Sequence, residues 1–595
     1  MNNLNYGVVG NCKSAALISD KGSIEWLCLP DFNSSSIFAK IIDKNKGGEF
    51  SIEVESSYQI SQSYIENTNI LSTVFRDGDD AFEVIDFMPR FQTDQGGYFT
   101  PPELIRYVKY ISGKPKARFI YSPRLVWAQY ETINQIEEEY IKSYTKEGTY
   151  DSVYLYTNLD FQQLLKRETF IIDKDAYFLL SYNQKIEEMK LNKIYLKLQR
   201  TKVYWLNWVE RTIRFNKYNK EIIRSALVLK LLTYQKSGSI LAAVTTSIPE
   251  TIGGARNWDY RFCWISDASR IIKVLMMLGH ITGARRFLNY IVDLIPVKDE
   301  KIQIMYGIRG EKILPETILE HLQGYEESIP VKIGNSGYEL KQNDIYGVLM
   351  DVIYQNFQLY SHTAEETEEL WTLVRSIAKI VNSNWKKPDL GIWEISREEK
   401  HFTFSKVLCW VAIDRGIKIA KKLNKLNYVK EWETLSTEIK DDILKNAWSE
   451  KLQAFKQSYE TEEMDASNLL IETYGFITAS DPKYIGTVQA TKKHLSNEGL
   501  MFRYRHRDDF GEPTSSFTIC TFWLIKALYK IGEQDEAEKM FNEVLKYSNH
   551  LGLYSENMDF KTKRLLGNFP HGSTHLALIE AAIVLSRGDR WDDFK

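Results

Sequence analysis

The apolar residues of this chain change their period once. Up to about residue 240 they recur in short runs broken by turns, and from about residue 255 they recur at helical spacing along segment after segment. A strand places successive side chains on opposite faces, whereas a helix repeats every 3.6 residues, so one pattern does not fold as the other. In the first part, SAALISDKGSIEWLCLP sets two apolar runs on either side of the turn Asp20, Lys21, Gly22, and LSTVFRDGDDAFEVIDFMP does the same around RDGDD. YLYTNL, DAYFLLSYNQ and GSILAAVTTS keep the short period. This predicts an N-terminal antiparallel β-sandwich over residues 1–240. A linker helix is expected near its end, where LNWVERTIRFNKYNKEIIRSALVLKLLTY turns to helix-length recurrence.

Residues 241–595 read as an almost wholly helical domain. Its candidate helices run from ASRIIKVLMMLG through TGARRFLNYIVDLI, DIYGVLMDVIYQNFQLY, EETEELWTLVRSIAKIVNSNW, SKVLCWVAIDRGIKIAKKL and VKEWETLSTEIKDDILKNAW to SFTICTFWLIKALYKIG, QDEAEKMFNEVLKYSN and STHLALIEAAIVLS. Twelve helices in the roughly 340 residues from about 255 onward would have about 28 residues each with their connections. No strand–helix alternation points to a parallel-sheet barrel, and no short repeat points to a solenoid. A closed toroid of paired helices fits, and so does a large irregular helical domain.

Several function classes are disfavoured by composition. Lys and Arg total 76 against 79 Asp and Glu, a net charge of -3, which is not the signature of a protein built to grip nucleic acid or anionic lipid. The arginines of RYRHRDD sit beside acids, as in an ordinary polar loop. No apolar run reaches the roughly 20 residues of a membrane span. The opening MNNLNYGVVGNCKSAALISDKG lacks the order of a secretory signal, so a cytoplasmic location is expected. Five separated cysteines, Cys12, Cys28, Cys263, Cys409 and Cys520, read as buried free thiols. His571 and His575 have an i,i+4 spacing but no companion ligand, so no metal site is expected.

Chemistry-bearing residues gather in five loops between the helices: GGARNWDYRFCWISDASR, LEHLQGYEESIPVKIGNSGYELKQNDIYG, PDLGIWEISREEKHFTFSKVLCW, FRYRHRDDFGEP and YSENMDFKTKRLLGNFPHGSTH. Aromatic rings can stack on a sugar, while Asp, Glu and Arg can bond its hydroxyls. Five such loops in one helical domain suggest one shared pocket, and its acids suggest carboxylate chemistry.

These loops, together with YGVVGNCKSAALISDKGSIEWLCLPDFNSSSIFAKIID, resemble glycoside hydrolase family 15, the inverting glucoamylase and trehalase family, in its bacterial and archaeal branch. The resemblance covers nearly the whole chain. It implies an N-terminal β-sandwich followed by an (α/α)6 catalytic barrel. It also implies that Glu394, in GIWEIS, is the general acid and that Glu556, in LYSENMD, is the general base. An inverting hydrolase needs one protonated carboxyl to donate to the glycosidic oxygen and one ionised carboxylate to activate water on the opposite face, about 6.5–9.5 Å apart. Ile392 and Trp393 are expected to raise the pKa of Glu394, and Ser555 and Asn557 to keep Glu556 charged by hydrogen bonding.

By the same resemblance, Trp258, Asp259, Tyr260, Arg261 and Trp264 hold the terminal glucose with Arg256 and Asn257, and Asp267 bonds sugar hydroxyls. The family commonly has Arg immediately before that Asp; this chain has Ser266, which supplies neither the charge nor the fork of donors. Arg261 is then a candidate to reach the vacated space. Arg309, Tyr325, Glu327 and Trp393 are further substrate-binding candidates, and Asn568, Phe569 and Pro570 resemble a turn that shapes the pocket. His401 is expected to support the acid loop, and His571 and His575 to orient polar groups near the base.

The leading expectation is an exo-acting inverting α-glucoside hydrolase, glucoamylase-like, that releases β-D-glucose from nonreducing ends. Its expected partner is an α-linked glucose oligosaccharide or disaccharide. The alternatives are an α,α-trehalase, an isomaltose or dextran glucohydrolase, and a carbohydrate-binding descendant without catalysis. Retention of both Glu394 and Glu556 argues against the last, and Glu556 argues against a phosphorylase, which would need an anion pocket. No organic cofactor is called for, and the oligomeric state is open.

Overall fold

The computed structural model describes residues 3–187, 189–294, 302–394 and 398–587. Two antiparallel sheets open the chain. The first has seven strands, ordered Tyr6–Gly10, Ala15–Ser19, Ile24–Cys28, Glu49–Glu53, Lys116–Ser122 and Phe170–Ile171, with Ser36–Phe38 paired alongside Ile24–Cys28. The second has eight, ordered Thr132–Ile136, Ile141–Thr145, Ser152–Thr157, Ala176–Tyr182, Glu103–Ser112, Asp80–Phe87, Leu71–Asp77 and Gln59–Tyr64. The RDGDD turn closes a hairpin in which Asp77 faces Asp80. Gly78 takes the left-handed conformation there, with φ +56°, as a tight two-residue connection requires.

Alternate residues of the first sheet serve two cores. Val9, Ala16, Ile18 and Leu27 face the second sheet, where Phe50, Phe82, Phe119 and Phe178 fill the sandwich. Val8, Leu17, Trp26 and Cys28 face the other way and merge with the apolar interior of the helices. The first sheet is therefore buried on both sides, which is why its strands read as apolar runs rather than as a clean apolar–polar alternation. The helix Leu191–Glu210 covers the far face of the second sheet through Ile194, Leu198 and Trp205.

The linker expected around 205–233 is two helices, Leu191–Glu210 and Asn219–Leu232, separated at Tyr218, whose φ is +62°. GSILAAVTTS, expected as strand, forms only the isolated bridges Thr233–Ile240 and Thr246–Asp259. It runs between the barrel and the cavity described below, where side-chain hydroxyls satisfy its backbone: the Thr245 hydroxyl accepts the Phe569 N–H at 3.0 Å, and the Ser247 hydroxyl accepts that of Lys332 at 2.8 Å.

The helices close a ring. Ile265–Met277 packs on Asp344–Leu359, that helix on Thr403–Lys422, then come the short 3₁₀ segment Ala466–Leu470, Thr518–Lys530 and Gly572–Arg587, which returns to Ile265–Met277. Outside them lie Asn219–Leu232, Ile281–Leu294, Ala364–Asn384, Val429–Asn446, Pro482–Leu495 and Gln534–Leu545. The arrangement is an (α/α)6 barrel, not an irregular bundle, with one inner position shortened to a 3₁₀ turn. Sequence separates the two rings: Asp344–Leu359 buries 14 of its 16 residues, while Val429–Asn446 buries Trp432, Leu435, Ile439 and Ile443, a single stripe. The described cysteines are all free and buried. Among the described residues no helix is long and apolar enough to cross a membrane.

Candidate active site

Loops that lead into the inner helices meet at one end of the barrel around a cavity of about 400 Å3. Its walls combine rings, including Trp258, Tyr260, Trp264 and Trp393, with the charged groups Glu250, Asp267, Arg270, Glu394 and Arg503. A space of this size matches a small ligand of one or two rings.

Glu394 stands in the cavity wall on a left-handed backbone with φ +52°, just after Gly391 at φ +65°. Such a backbone is costly for a residue with a side chain and persists only when its surroundings hold it. The Asn343 N–H donates to Asp389 at 2.7 Å below this loop, and the Trp393 indole N–H donates to Asp465 at 2.8 Å on its other side. Asp465 also caps the 3₁₀ segment by accepting the Ser467 N–H at 2.8 Å, so the shortened inner element is what anchors Trp393. Gln342 donates to the Glu394 carboxyl at 3.0 Å. Burial raises the pKa of Glu394 to about 7; the Gln342 hydrogen bond opposes the shift and the nearby buried Asp344 adds to it.

Glu556 is 1% exposed. Its carboxylate accepts the Tyr260 hydroxyl at 2.6 Å and the Asn568 N–H at 3.3 Å. Tyr260 lines the cavity and stands between it and Glu556. The hydrogen bonds expected from Ser555 and Asn557 are made elsewhere: the Ser555 hydroxyl donates to the Asn557 carbonyl, and the Asn557 amide to Ser515. Nor is the pKa of Glu556 held down. Burial raises it, with the Glu250 carboxylate adding to the shift, and the bonds from Tyr260 and Asn568 and the charge of Arg503 only partly oppose this. Arg503 pairs with Glu250 at 3.1 Å, and its charge favours the ionised form of both Glu394 and Glu556.

Gly567 sets the position of Glu556. A methyl group there would lie 2.7 Å from the carboxylate oxygen and 2.8 Å from its Cβ, at a φ of +74°. Gly567→Ala is expected to cost about 1–2 kcal/mol in backbone strain. By pushing the carboxylate aside it should also lower kcat on the order of 100-fold. Thermal unfolding and steady-state kinetics on the same preparation check both.

The segment 258–261 alternates. Trp258 and Tyr260 face the cavity, while Asp259 and Arg261, 1% and 2% exposed, face away. Arg261 forms a two-bonded pair with Asp259 at 2.8 and 2.7 Å, donates to the Ser34 carbonyl at 2.9 Å and lies over the Trp127 ring. It points into the sandwich and does not fill the space beside Ser266, a correction that the Thr246–Asp259 bridge explains: the backbone is extended there, and alternate side chains point to opposite sides.

Three other expected sugar contacts also lie outside the cavity lining. Arg309 is half exposed and pairs with Asp31. Tyr325 is buried with its hydroxyl accepting from Arg564 at 3.1 Å, and Glu327 is exposed. Each is in a loop that reaches the barrel rim, but its side chain is used or directed elsewhere. Trp264, Asp267 and Trp393 do line the cavity. His571 lines it as well and bonds the Thr574 hydroxyl at 2.8 Å, whereas His575 accepts the Tyr554 N–H at 3.2 Å behind it. His401 pairs with Glu460 at 2.6 Å near the surface, and its own N–H is held by the same carboxylate. Among the described residues no group of His, Cys, Asp or Glu is arranged to hold a metal.

Sequence reading did not single out Glu250, Arg270, Gln342 or Arg503. Arg503 was within reach, because it belongs to the loop FRYRHRDDFGEP, but nothing local separates it from Arg505 and Arg507. Gln342 follows the same logic at the end of a long loop.

A family model described as glycosyl hydrolases family 15 matches residues 216–583, and one described as trehalase-like, N-terminal, matches residues 5–158. The chain is 34% identical to a trehalase of Thermoplasma volcanium, over 97% of this chain and 92% of that protein. It is 33% identical to a trehalase of Mycobacterium tuberculosis, over 99% and 90% of the two chains, and 31% identical to trehalase 1 of Sulfolobus acidocaldarius, over 97% of each.

Proposed function

The chain belongs to glycosyl hydrolase family 15 and is a hydrolase of O-glycosyl bonds, and from that premise we propose that it hydrolyses α,α-trehalose with inversion. The observation that carries the reading is one cavity, with space for one or two rings, walled by Glu394 and by Tyr260, whose hydroxyl donates to Glu556 behind it. The substrate choice is supported by relatives named trehalases that align along nearly the whole chain, sandwich included. This replaces the glucoamylase-like expectation as the leading reading.

In this mechanism Glu394, whose pKa of about 7 keeps it protonated into the neutral range, donates to the bridging oxygen as the bond to the anomeric carbon breaks. Water enters from the opposite face and gives its proton to Glu556, at or across the Tyr260 hydroxyl. Attack inverts only the carbon attacked. One trehalose therefore yields one β-glucose and one α-glucose, whereas a double displacement would yield two α-glucoses. Proton NMR of the anomeric signals in the first minutes of reaction tests this, with maltose and isomaltose as competitors. Two α-glucoses would refute inversion, and hydrolysis of maltose in preference to trehalose would refute the substrate.

Because burial raises both carboxyl groups, the productive form has one proton on Glu394 and none on Glu556, and the profile of kcat/KM against pH should be bell-shaped. Burial carries Glu556 to about 8, above Glu394 at about 7, so the singly protonated enzyme holds its proton mostly on Glu556 and the productive form is the minor one. The falling limb then follows Glu556. Tyr260→Phe removes a donor that stabilises its anion, so its pKa rises, the falling limb moves to higher pH and the productive form becomes rarer. A hydrogen bond to a charged group is worth about 1.5–3 kcal/mol, so at and below the maximum the variant should lose at least about tenfold in kcat/KM. An unmoved falling limb would show that Glu556 does not control it.

A further inference from the structure

We propose that Arg270 is the cationic clamp on the hydroxyl groups of the sugar ring held deepest in the cavity. The inference rests on the carbohydrate-hydrolase reading above and deepens it. Arg270 lies in the second turn of the inner helix Ile265–Met277, four residues after Ser266 and three after Asp267, on the helical face that meets the cavity. It is 6% exposed, and among the described residues it makes no hydrogen bond and no ion pair. Its neighbour is a ring: the guanidinium carbon lies 5.0 Å from the centroid of Trp523.

A guanidinium carries five donors in one plane and no acceptor, and enclosing it without an acceptor is costly. The acids behind it are already engaged. Glu580 pairs with Lys526 at 2.8 Å, and Asp351 with Lys273 and Arg415, both at 2.7 Å. In front of it stand Asp267, whose charge Arg270 favours, and Ser573, with Ser266 one turn above. Ser266 donates its hydroxyl to Asp344 at 3.2 Å and is too short to cover the guanidinium. Arg270 borders both this cavity and a small void behind it lined by Lys273, Asp351 and Glu580. The acids of the void are already paired, so the ligand space is where the open donors of Arg270 meet a new acceptor.

The matching ligand group is a pair of adjacent neutral hydroxyls. One side of the pair receives the planar fork of Arg270, and the other donates to Asp267. The Trp523 ring lies under the guanidinium and restrains it, so the contact selects hydroxyl position as well as adding affinity. The Arg that Ser266 omits is thus supplied from one helical turn deeper, and a small residue at 266 leaves the approach clear.

The test is binding of D-glucose and of its 2-, 3-, 4- and 6-deoxy analogues, by calorimetry, to the wild type, Arg270→Met and Arg270→Lys. Arg270→Met should weaken glucose binding about 10- to 100-fold, the range of a hydrogen bond to a charged group. One or two of the deoxy analogues should bind the wild type poorly, yet bind Arg270→Met as well as glucose does. Arg270→Lys keeps the charge should the apolar variant fail to fold, and it should recover part of the affinity but lose the preference between those analogues. Deoxy penalties that are the same in wild type and variants would overturn the clamp and leave the proposed hydrolase standing. A wild type that hydrolyses trehalose but binds no glucose at all would overturn the clamp alone, and one that does neither would overturn both.

Discussion

Glu394→Gln should hydrolyse α-D-glucosyl fluoride at close to the wild-type rate while losing about 10³-fold in kcat on trehalose; Glu556→Gln should lose a comparable factor on both. The difference follows from the leaving group. Fluoride departs without a proton, so a substrate that carries it does not need the acid. Trehalose expels a sugar alkoxide and does need it. Water must be deprotonated in either case, and general acid or base catalysis is typically worth 10²–10⁴-fold. Each substitution keeps the shape and removes the titrating group, while the new amide oxygen can still accept from Gln342 at residue 394 and from Tyr260 at residue 556. Circular dichroism of the variants checks that the fold is retained. If Glu394→Gln lost both substrates equally, the acid would have to be another group on the cavity wall. If Glu556→Gln kept trehalose hydrolysis, the base would have to be Glu250, the nearest carboxylate in its field.

The second large effect is on stability. Arg261→Met should lower the free energy of unfolding by about 3–5 kcal/mol, the cost of leaving a buried charge without its partner. Asp259 is almost fully enclosed, and Arg261 supplies both of the bonds that neutralise it, besides tying the loop to Ser34 and Trp127 of the sandwich. The double variant Asp259→Asn with Arg261→Met removes the stranded charge and should recover most of the loss. Urea unfolding of the single and double variants measures both values. A single variant within 1 kcal/mol of the wild type would mean that Asp259 finds another cation or becomes protonated at little cost.

What the sequence disclosed was what local period and local chemistry control. The sheet pairs and most helices were legible because Leu71–Asp77, Asp80–Phe87 and helices such as Asp344–Leu359 carry strong patterns. Pro482–Leu495 was not recognised. Its core face rests on Tyr484, Val488 and Leu495 with Gly486 among them, and its clearest mark is the cap formed by Asp481 before Pro482. GSILAAVTTS looked extended and is nearly so, but strand identity requires a neighbouring strand, and its neighbours are loops. In the site, Trp258 and Tyr260 were placed in the cavity together with Asp259 and Arg261, although alternation along an extended segment separates the two pairs. That signal was present in the sequence. The field around Glu556 was not, because Tyr260, Glu250 and Arg503 come to it from distant parts of the chain.

The first sheet's position between two cores bears on how the molecule is made. As the chain leaves the ribosome, the strands bearing Val8, Leu17 and Trp26 are complete long before the helices that cover them exist. Their outward face stays wet until the last part of the barrel arrives, and the Asn549 side chain then closes the arrangement by donating to the carbonyls of Leu4 and Tyr6 at 3.1 and 2.9 Å. The N-terminal half therefore matures only after synthesis of the C-terminal half, and an unfinished chain presents a sticky apolar sheet for which a chaperone, or a neighbouring nascent chain, can compete.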